Sequence, residues 1–288
     1  MDKVKFSDAE FELRSSFQSG DRIVGYNYLT LKNIKIPYDN MFETLYKVMS
    51  EITGTIAHDT DTDHDIAFGA GSCLDSSRSV MITNTALVRQ IDVEFGTGNG
   101  GMYPGGSVAA NTVYYMHKIM KTDGTVNIYF DISATAANKP AGYTYYRCIG
   151  AGITDASSNW HQGKWTREAN KIVFSYNSFV VDRARAQLGS TSRILITVTC
   201  PPNSTGKFQW MFTNSVAQHY ISFGSTDETD AAPSSYDNCK LSMFSSASPM
   251  TIIAKYKVDG SSQVYVRGDG TTDTYVGLKT EEWELVLA

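Results

Sequence analysis

Short stretches of strict two-residue alternation, each bounded by a turn signal, limit most sharply what this chain can become. Phe208, Trp210 and Phe212 alternate with Gln209 and Met211, and Ile194, Ile196 and Val198 alternate with Leu195, Thr197 and Thr199. Val126, Ile128, Phe130 and Ile132 do the same against Asn127, Tyr129, Asp131 and Ser133. Successive side chains of a strand point to opposite faces, so each segment buries one face and leaves the other wet. Val264 and Val266 flank Tyr265 ahead of Gly268-Asp269-Gly270, and Trp283, Leu285 and Leu287 close the chain. Asp123-Gly124 is a hairpin signal that predicts Met116 to Lys121 as partner of the strand after it. There is no strand–helix–strand rhythm, and short strands at this spacing predict sandwiches or barrels. The expected fold is all-β: a head over residues 1–50, then two antiparallel β-sandwich or jelly-roll-like regions over 51–160 and 161–288. With 288 residues, the chain buries enough surface to fold without a disulfide or metal staple. Val180 to Leu188 suits a helix through Ala184 and Leu188, and a strand through its neighbours.

The head carries the one helix signal. Asn40 followed by Glu43 can satisfy free backbone N–H groups reciprocally at a helix start. Tyr38, Met41, Phe42, Leu45 and Met49 then share a face at helical spacing. That stripe either caps a sheet of its own subunit or packs on a partner or symmetry mates.

Charge and motifs narrow the function classes. The net charge of −5 argues against a general nucleic-acid binder, which needs a basic surface to displace counterions. The opening MDKVKFSDAEFELR is charged throughout, without the apolar core of a secretory signal, and no apolar run is long enough to insert in a membrane. Synthesis in a reducing cytoplasm is expected. Cys73, Cys148, Cys200 and Cys239 stand alone, with no C-x-x-C, and read as reduced, buried apolar residues. Asp59, Asp61 and Asp63 begin like a calcium loop, but the positions that need Gly and Glu hold His64 and Ala70. The segment reads as an acidic solvated loop, and no metal is expected. Gly96, Gly98 and Gly101 satisfy G-x-G-x-x-G, yet Met102-Tyr103-Pro104 cannot open the helix that a dinucleotide requires, so no cofactor is expected. Neither G-x-S-x-G nor H-E-x-x-H occurs, and the chain is read as a non-enzyme. A carboxylate pair of a polysaccharide depolymerase would leave no such signature.

Two segments qualify as ligand contacts. Gly96 to Gly106 reads as a pliable surface loop with Asn99 in it and Tyr103 at its tip. Trp160-His161-Gln162-Gly163-Lys164-Trp165 places two indoles among polar groups. Trp160, His161 and Trp165 could meet a sugar ring by stacking and rim hydrogen bonds. The other reading is that one tryptophan plugs the seam between the two β regions.

Several of these segments also recur together. The stretch Asp65-Ile66-Ala67-Phe68-Gly69-Ala70-Gly71-Ser72-Cys73-Leu74-Asp75-Ser76-Ser77 is followed by the Gly-Thr-Gly-Asn-Gly-Gly loop and the Asp-Gly strand pair. Thr-Ala-Ala-Asn-Lys-Pro-Ala-Gly-Tyr, Arg-Cys-Ile-Gly, SRILITVTCPPNSTGKFQWMFTN and TDETDAAPSS come after them. Over roughly residues 52–285 this order resembles a module of tailed-bacteriophage tail-fibre and virion structural proteins. The resemblance implies a virion location and a tail fibre or receptor-binding protein that mediates host attachment. It also implies a homotrimer that contacts other tail or capsid proteins and a host surface polysaccharide. The alternative within the same family is a capsid-decoration or tail-collar connector protein. No catalytic residue carries over.

Overall fold

The computed structural model describes residues 22–27, 32–37, 52–168, 170–188, 192–213, 219–234, 240–243, 249–270 and 274–287. The chain divides into two compact units, Met1–Glu51 and Ile52–Ala288. In the first, β1 (Arg22–Asn27) pairs antiparallel with β2 (Lys32–Pro37). The expected helix, with Tyr38, Met41, Phe42, Leu45 and Met49, lies outside the described residues. Every regular element among the described residues is a strand. The ambiguous segment from Val180 lies in a strand as well.

The second unit opens with a seven-stranded sheet. It is built from β3 (Ile56–His58), β4 (Asp65–Phe68), β7 (Leu87–Glu94), β8 (Gly100–Met102), β9 (Val113–Met120), β10 (Val126–Asp131) and β11 (Tyr145–Ile153). The spatial order is β11-β9-β10-β8-β7-β4-β3. β9 and β10 form the hairpin announced by Asp123-Gly124, with Val126 opposite Met120. A two-stranded hairpin, β5 (Gly71–Leu74) with β6 (Met81–Asn84), contributes Cys73 and Ile82 to the same core as Met116, Ile128 and Phe130.

Two expectations change here. The region is not wholly antiparallel, because β8 pairs in parallel with both β7 and β10. β8 also lies within the stretch read as a surface loop, and its three residues are buried. Likewise β10 has no wet face: Tyr129 and Asp131 are fully buried. The Tyr129 hydroxyl donates to Asp131 Oδ2 (2.9 Å), and Asp131 also accepts from Ser133 N (2.9 Å) and Asn138 Nδ2 (2.7 Å). This polar knot is affordable because the carboxylate's acceptor sites are filled by N–H and O–H donors.

The remaining strands roll into a jelly roll. They are β13 (Lys171–Gln187), β14 (Ile194–Thr197), β15 (Thr205–Thr213), β16 (His219–Ser225), β17 (Leu241–Met243), β18 (Met250–Lys257), β19 (Gln263–Gly268) and β20 (Tyr275–Val286). The chain is in effect one long hairpin: β13 pairs with β20, β14 with β19, β15 with β18 and β16 with β17, all antiparallel. Rolling adds β20 to β15 and β19 to β16. The products are two facing sheets, β13-β20-β15-β18 and β14-β19-β16-β17, and β12 (Gly163–Glu168) extends the first beyond β13.

Alternation explains which side faces in. Phe208, Trp210 and Phe212 of β15 are fully buried, and Phe223 of β16 meets Trp210 and Phe212 at 4.9 and 5.2 Å between ring centroids. The outer face of the same sheet is a charge ladder, with Lys207 paired to Glu281 (2.7 Å) and Lys255 to Glu282 (3.1 Å). Exposed pairs of this kind keep the face solvated and add little stability.

His117 gives the fold a pH dependence. Its ring is buried, with Nε2 against Ser133 O at 2.8 Å, and burial lowers its pKa from 6.5 to about 4. The unfolded chain therefore binds one more proton than the folded chain between those values. The stability held above pH 6.5 is lost as pH falls toward about 4. At about 1.4 kcal/mol per pKa unit, the loss is on the order of 3 kcal/mol. Chemical denaturation from pH 7 to pH 4 should show this fall. His117→Gln, which keeps a donor for Ser133 O, should flatten the slope within that window.

Candidate functional site: a polar cleft beside a tryptophan seam

The segment from Trp160 to Trp165 joins the mixed sheet to the jelly roll. Trp160 is 2% exposed, with its N–H groups donating to Asp63 O (2.8 Å, backbone) and His64 O (3.2 Å, indole). Its ring stands edge-on to Tyr114 and Phe130, and it lies so close over Gly152 that a Cβ there would come within 2.7 Å of it. Trp165 is also buried. Its indole N–H donates to Ala151 O (2.8 Å) on β11, while its ring meets His58 at 4.8 Å and Phe174 of β13 at 4.7 Å. Trp165 therefore touches both sheet systems and is the seam plug. Neither indole offers an open face to a ligand, because their apolar bodies and N–H donors are both satisfied inside.

The loop candidates separate as well. Asn99 is exposed in the turn before β8. Tyr103 is half-buried rather than at a tip, and its ring covers Gly106, where a Cβ would come within 2.6 Å. The acidic loop is a pinned turn. Asp61 accepts from Asp63 N (3.1 Å) and meets His64 Nδ1 (3.0 Å), and Gln162 donates to Thr62 O (2.8 Å). Among the described residues no three His, Cys, Asp or Glu side chains converge on a metal-sized point.

His161 lines an open cavity. This cleft of about 670 Å³ lies between the two sheet systems, with Asn111, Asp155 and His161 on one wall and Asp182, Thr197 and Ser262 on the other. Val113, Ile153, Val180 and Val198 supply its aliphatic surface. Burial lowers the His161 pKa, against a smaller opposing pull from Asp155, so its ring is neutral at pH 7. The ring stands edge-on to Tyr176 at 5.5 Å.

The two carboxylates of the cleft are committed to its walls. Asp155 Oδ1 accepts from Ser157 N (2.8 Å) and Asn159 N (3.0 Å). Asp182 accepts from Thr199 N and Oγ1, both at 2.7 Å, and from the Thr280 hydroxyl. Burial raises the Asp182 pKa, opposed by those hydrogen bonds. Beside those two carboxylates the cleft presents an imidazole, an amide and hydroxyls above aliphatic surface. Such a site can hold a polar molecule by hydrogen bonds and contact. Asn111, Asp182, Thr197 and Ser262 escaped sequence reasoning because they come from four separate loops and strands. Asp182, a lone acid after Phe179-Val180-Val181, was the one local signal.

Burial makes the three described cysteines poor nucleophiles. Cys73, Cys148 and Cys200 are free thiols, and burial pushes Cys148 up to about 11 and raises the other two. Cys239 lies outside the described residues. No helix among the described residues is long and apolar enough to cross a membrane.

No family model matches the chain, and no curated protein matches it significantly. Among solved structures, that of infectious bursal disease virus Gx strain aligns at 11% identity over 83% of this chain and 78% of that one, with a TM-score of 0.18. The VP2 subviral particle of infectious bursal disease virus aligns at 8% identity over 82% and 70%, TM-score 0.14. A Bacillus thuringiensis Cry1Da tryptic core variant aligns at 8% identity over 83% and 51%, TM-score 0.13. At these scores the alignments carry no argument, and the jelly roll rests on strand order alone.

Removing the seam plug should be costly. Trp165→Ala should lower unfolding free energy by about 3–5 kcal/mol, as large aromatic truncations in cores do. Urea denaturation checks this. A loss below 1 kcal/mol would mean that the seam is held elsewhere.

Proposed function

We propose that the chain is a structural protein of a virion, and within that class a phage tail fibre or receptor-binding protein that attaches to the host surface. The observation that carries this reading is the rolled-hairpin order β13-β20-β15-β18 against β14-β19-β16-β17. This jelly-roll architecture recurs in viral capsid and lectin domains, where flat sheets present loops and clefts at their margins. Fold alone does not assign function. The cleft adds a site chemistry: walls of hydroxyls, an amide, an imidazole and two carboxylates, suited to hydrogen-bonding a saccharide of a host polysaccharide. The resemblance of residues 52–285 to phage tail modules points the same way. The rival within the class is a capsid-decoration or collar connector, which would use the same fold for packing against other virion proteins.

Electron microscopy of virions labelled with an antibody to this protein separates the two. Label at the distal ends of tail appendages supports attachment; label over capsid or collar supports the rival. On the attachment reading, the double variant Asn111→Ala, His161→Ala should weaken adsorption of the purified protein to host cells by about tenfold. Two lost hydrogen bonds of about 1 kcal/mol each are enough for that change. The melting temperature should stay within a few degrees. Unchanged adsorption would remove the cleft from the attachment role.

A further inference from the structure

Three cations sit inside the second unit without a carboxylate to answer them. Lys118 on β9 is 1% exposed, and its cross-strand neighbour Arg147 on β11 is 6% exposed. Arg167 reaches in from β12, the strand that belongs to the jelly-roll sheet. Lys118 Nζ donates to Gly71 O (2.9 Å), and Arg167 donates to Ile149 O (3.0 Å) and Gly54 O (3.4 Å). Carbonyls satisfy N–H groups but do not neutralise charge. None of the three forms an ion pair among the described residues. Arg147 Nε and Arg167 Nη1 are buried with no hydrogen-bond partner.

No acid is among the groups that act on Lys118 and Arg167. Burial lowers Lys118 and Arg167, and the other groups acting on them are the Cys73 and Cys148 thiols and, for Lys118, Arg167 itself. Asp75 acts on the same Cys73 thiol, but its oxygens accept from Ser77 N, Ser79 N and Val80 N within the β5–β6 turn. Between Lys118, Arg167, Asn84 and Thr55 lies a void with room for one water-sized particle. A water there would fill the hydrogen-bonding gap and leave the charge. Buried charges without a counter-charge are costly, so a negative particle is favoured over a neutral one. The void's volume of about 10 Å³ suits a monoatomic particle better than phosphate, sulfate or an organic anion.

We propose that this void binds a single monoatomic anion of the halide class, held by Lys118 and Arg167, and that the anion ties β9 to β12 across the seam. The inference does not rest on the virion reading. Two measurements on the full chain test it. Crystals grown in sodium bromide should show an anomalous peak between Lys118 Nζ and Arg167 Nη1. In melting experiments at constant ionic strength, replacing gluconate by chloride should raise the melting temperature saturably. The rise should reach roughly 5–10 °C at a hundredfold excess over the dissociation constant. Lys118→Met should abolish that rise, whereas Lys164→Met on the exposed side of β12 should keep it. If Lys118→Met fails to fold, the bromide peak in the unaltered protein decides. An empty or water-filled void, or melting that follows ionic strength alone, overturns the proposal.

Discussion

Pairing of β13 with β20 is the contact on which the rest of the jelly roll depends. It sets Lys171 opposite Val286 and Gln187 opposite Tyr275, the pairing most distant in sequence within the jelly roll. Loop closure must be offset by the contacts it permits, and a fold made of such distant pairs forms slowly. The compensation is apolar: Phe174 stacks on Trp283 at 5.4 Å, and Val276, Leu278 and Trp283 are fully buried. The register slips three times between Ser175 and Ala186. Bulges of this kind bend and twist a long strand, as a rolled sheet requires.

β12 converts two sheet systems into one compact body. It lies beside β13 in the jelly-roll sheet and sends Trp165 and Arg167 back to Ala151 and Ile149 of the mixed sheet. The aromatic supplies burial and the guanidinium supplies donors, so the seam is held by packing and by hydrogen bonds to edge carbonyls. The polar cleft lies along the same boundary, and its shape is a consequence of how the seam closes. A site built this way is rigid, because its carboxylates already serve as wall ties and its ligand-facing groups stand on strands and short turns.

Much of the strand pattern was legible locally. In β15 the buried residues are Phe208, Trp210 and Phe212, as the alternation predicts, and the Asp123-Gly124 turn set the β9–β10 register. Tyr129 and Asp131 read as a wet face because they are polar. Their burial depends on donors from Ser133 and Asn138, which come from a covering segment that no local pattern announces. Gly100 to Met102 reads as loop because glycine favours turns. It became a strand because Phe130 and the β7 backbone approach too closely for any side chain at Gly101 or Gly100. The Trp160–Trp165 segment shows the same limit: the residue types fit ligand contact and seam equally, and only the neighbours Ala151, His58 and Phe174 decide.

By itself the sequence determined the all-β class, the inward faces of the principal strands, the hairpin turns and the lack of a complete EF-hand ligand pattern. These follow from period-two patterning and turn chemistry, which act within a few residues. Tertiary structure alone decided the rolled order of the strands, the parallel β8, the seam held by Trp165, the cations gathered around one void and the cleft that joins His161 to Asp182. Most of those bring together residues tens to more than a hundred positions apart, and what such residues do is set by the neighbours that the closed loops deliver.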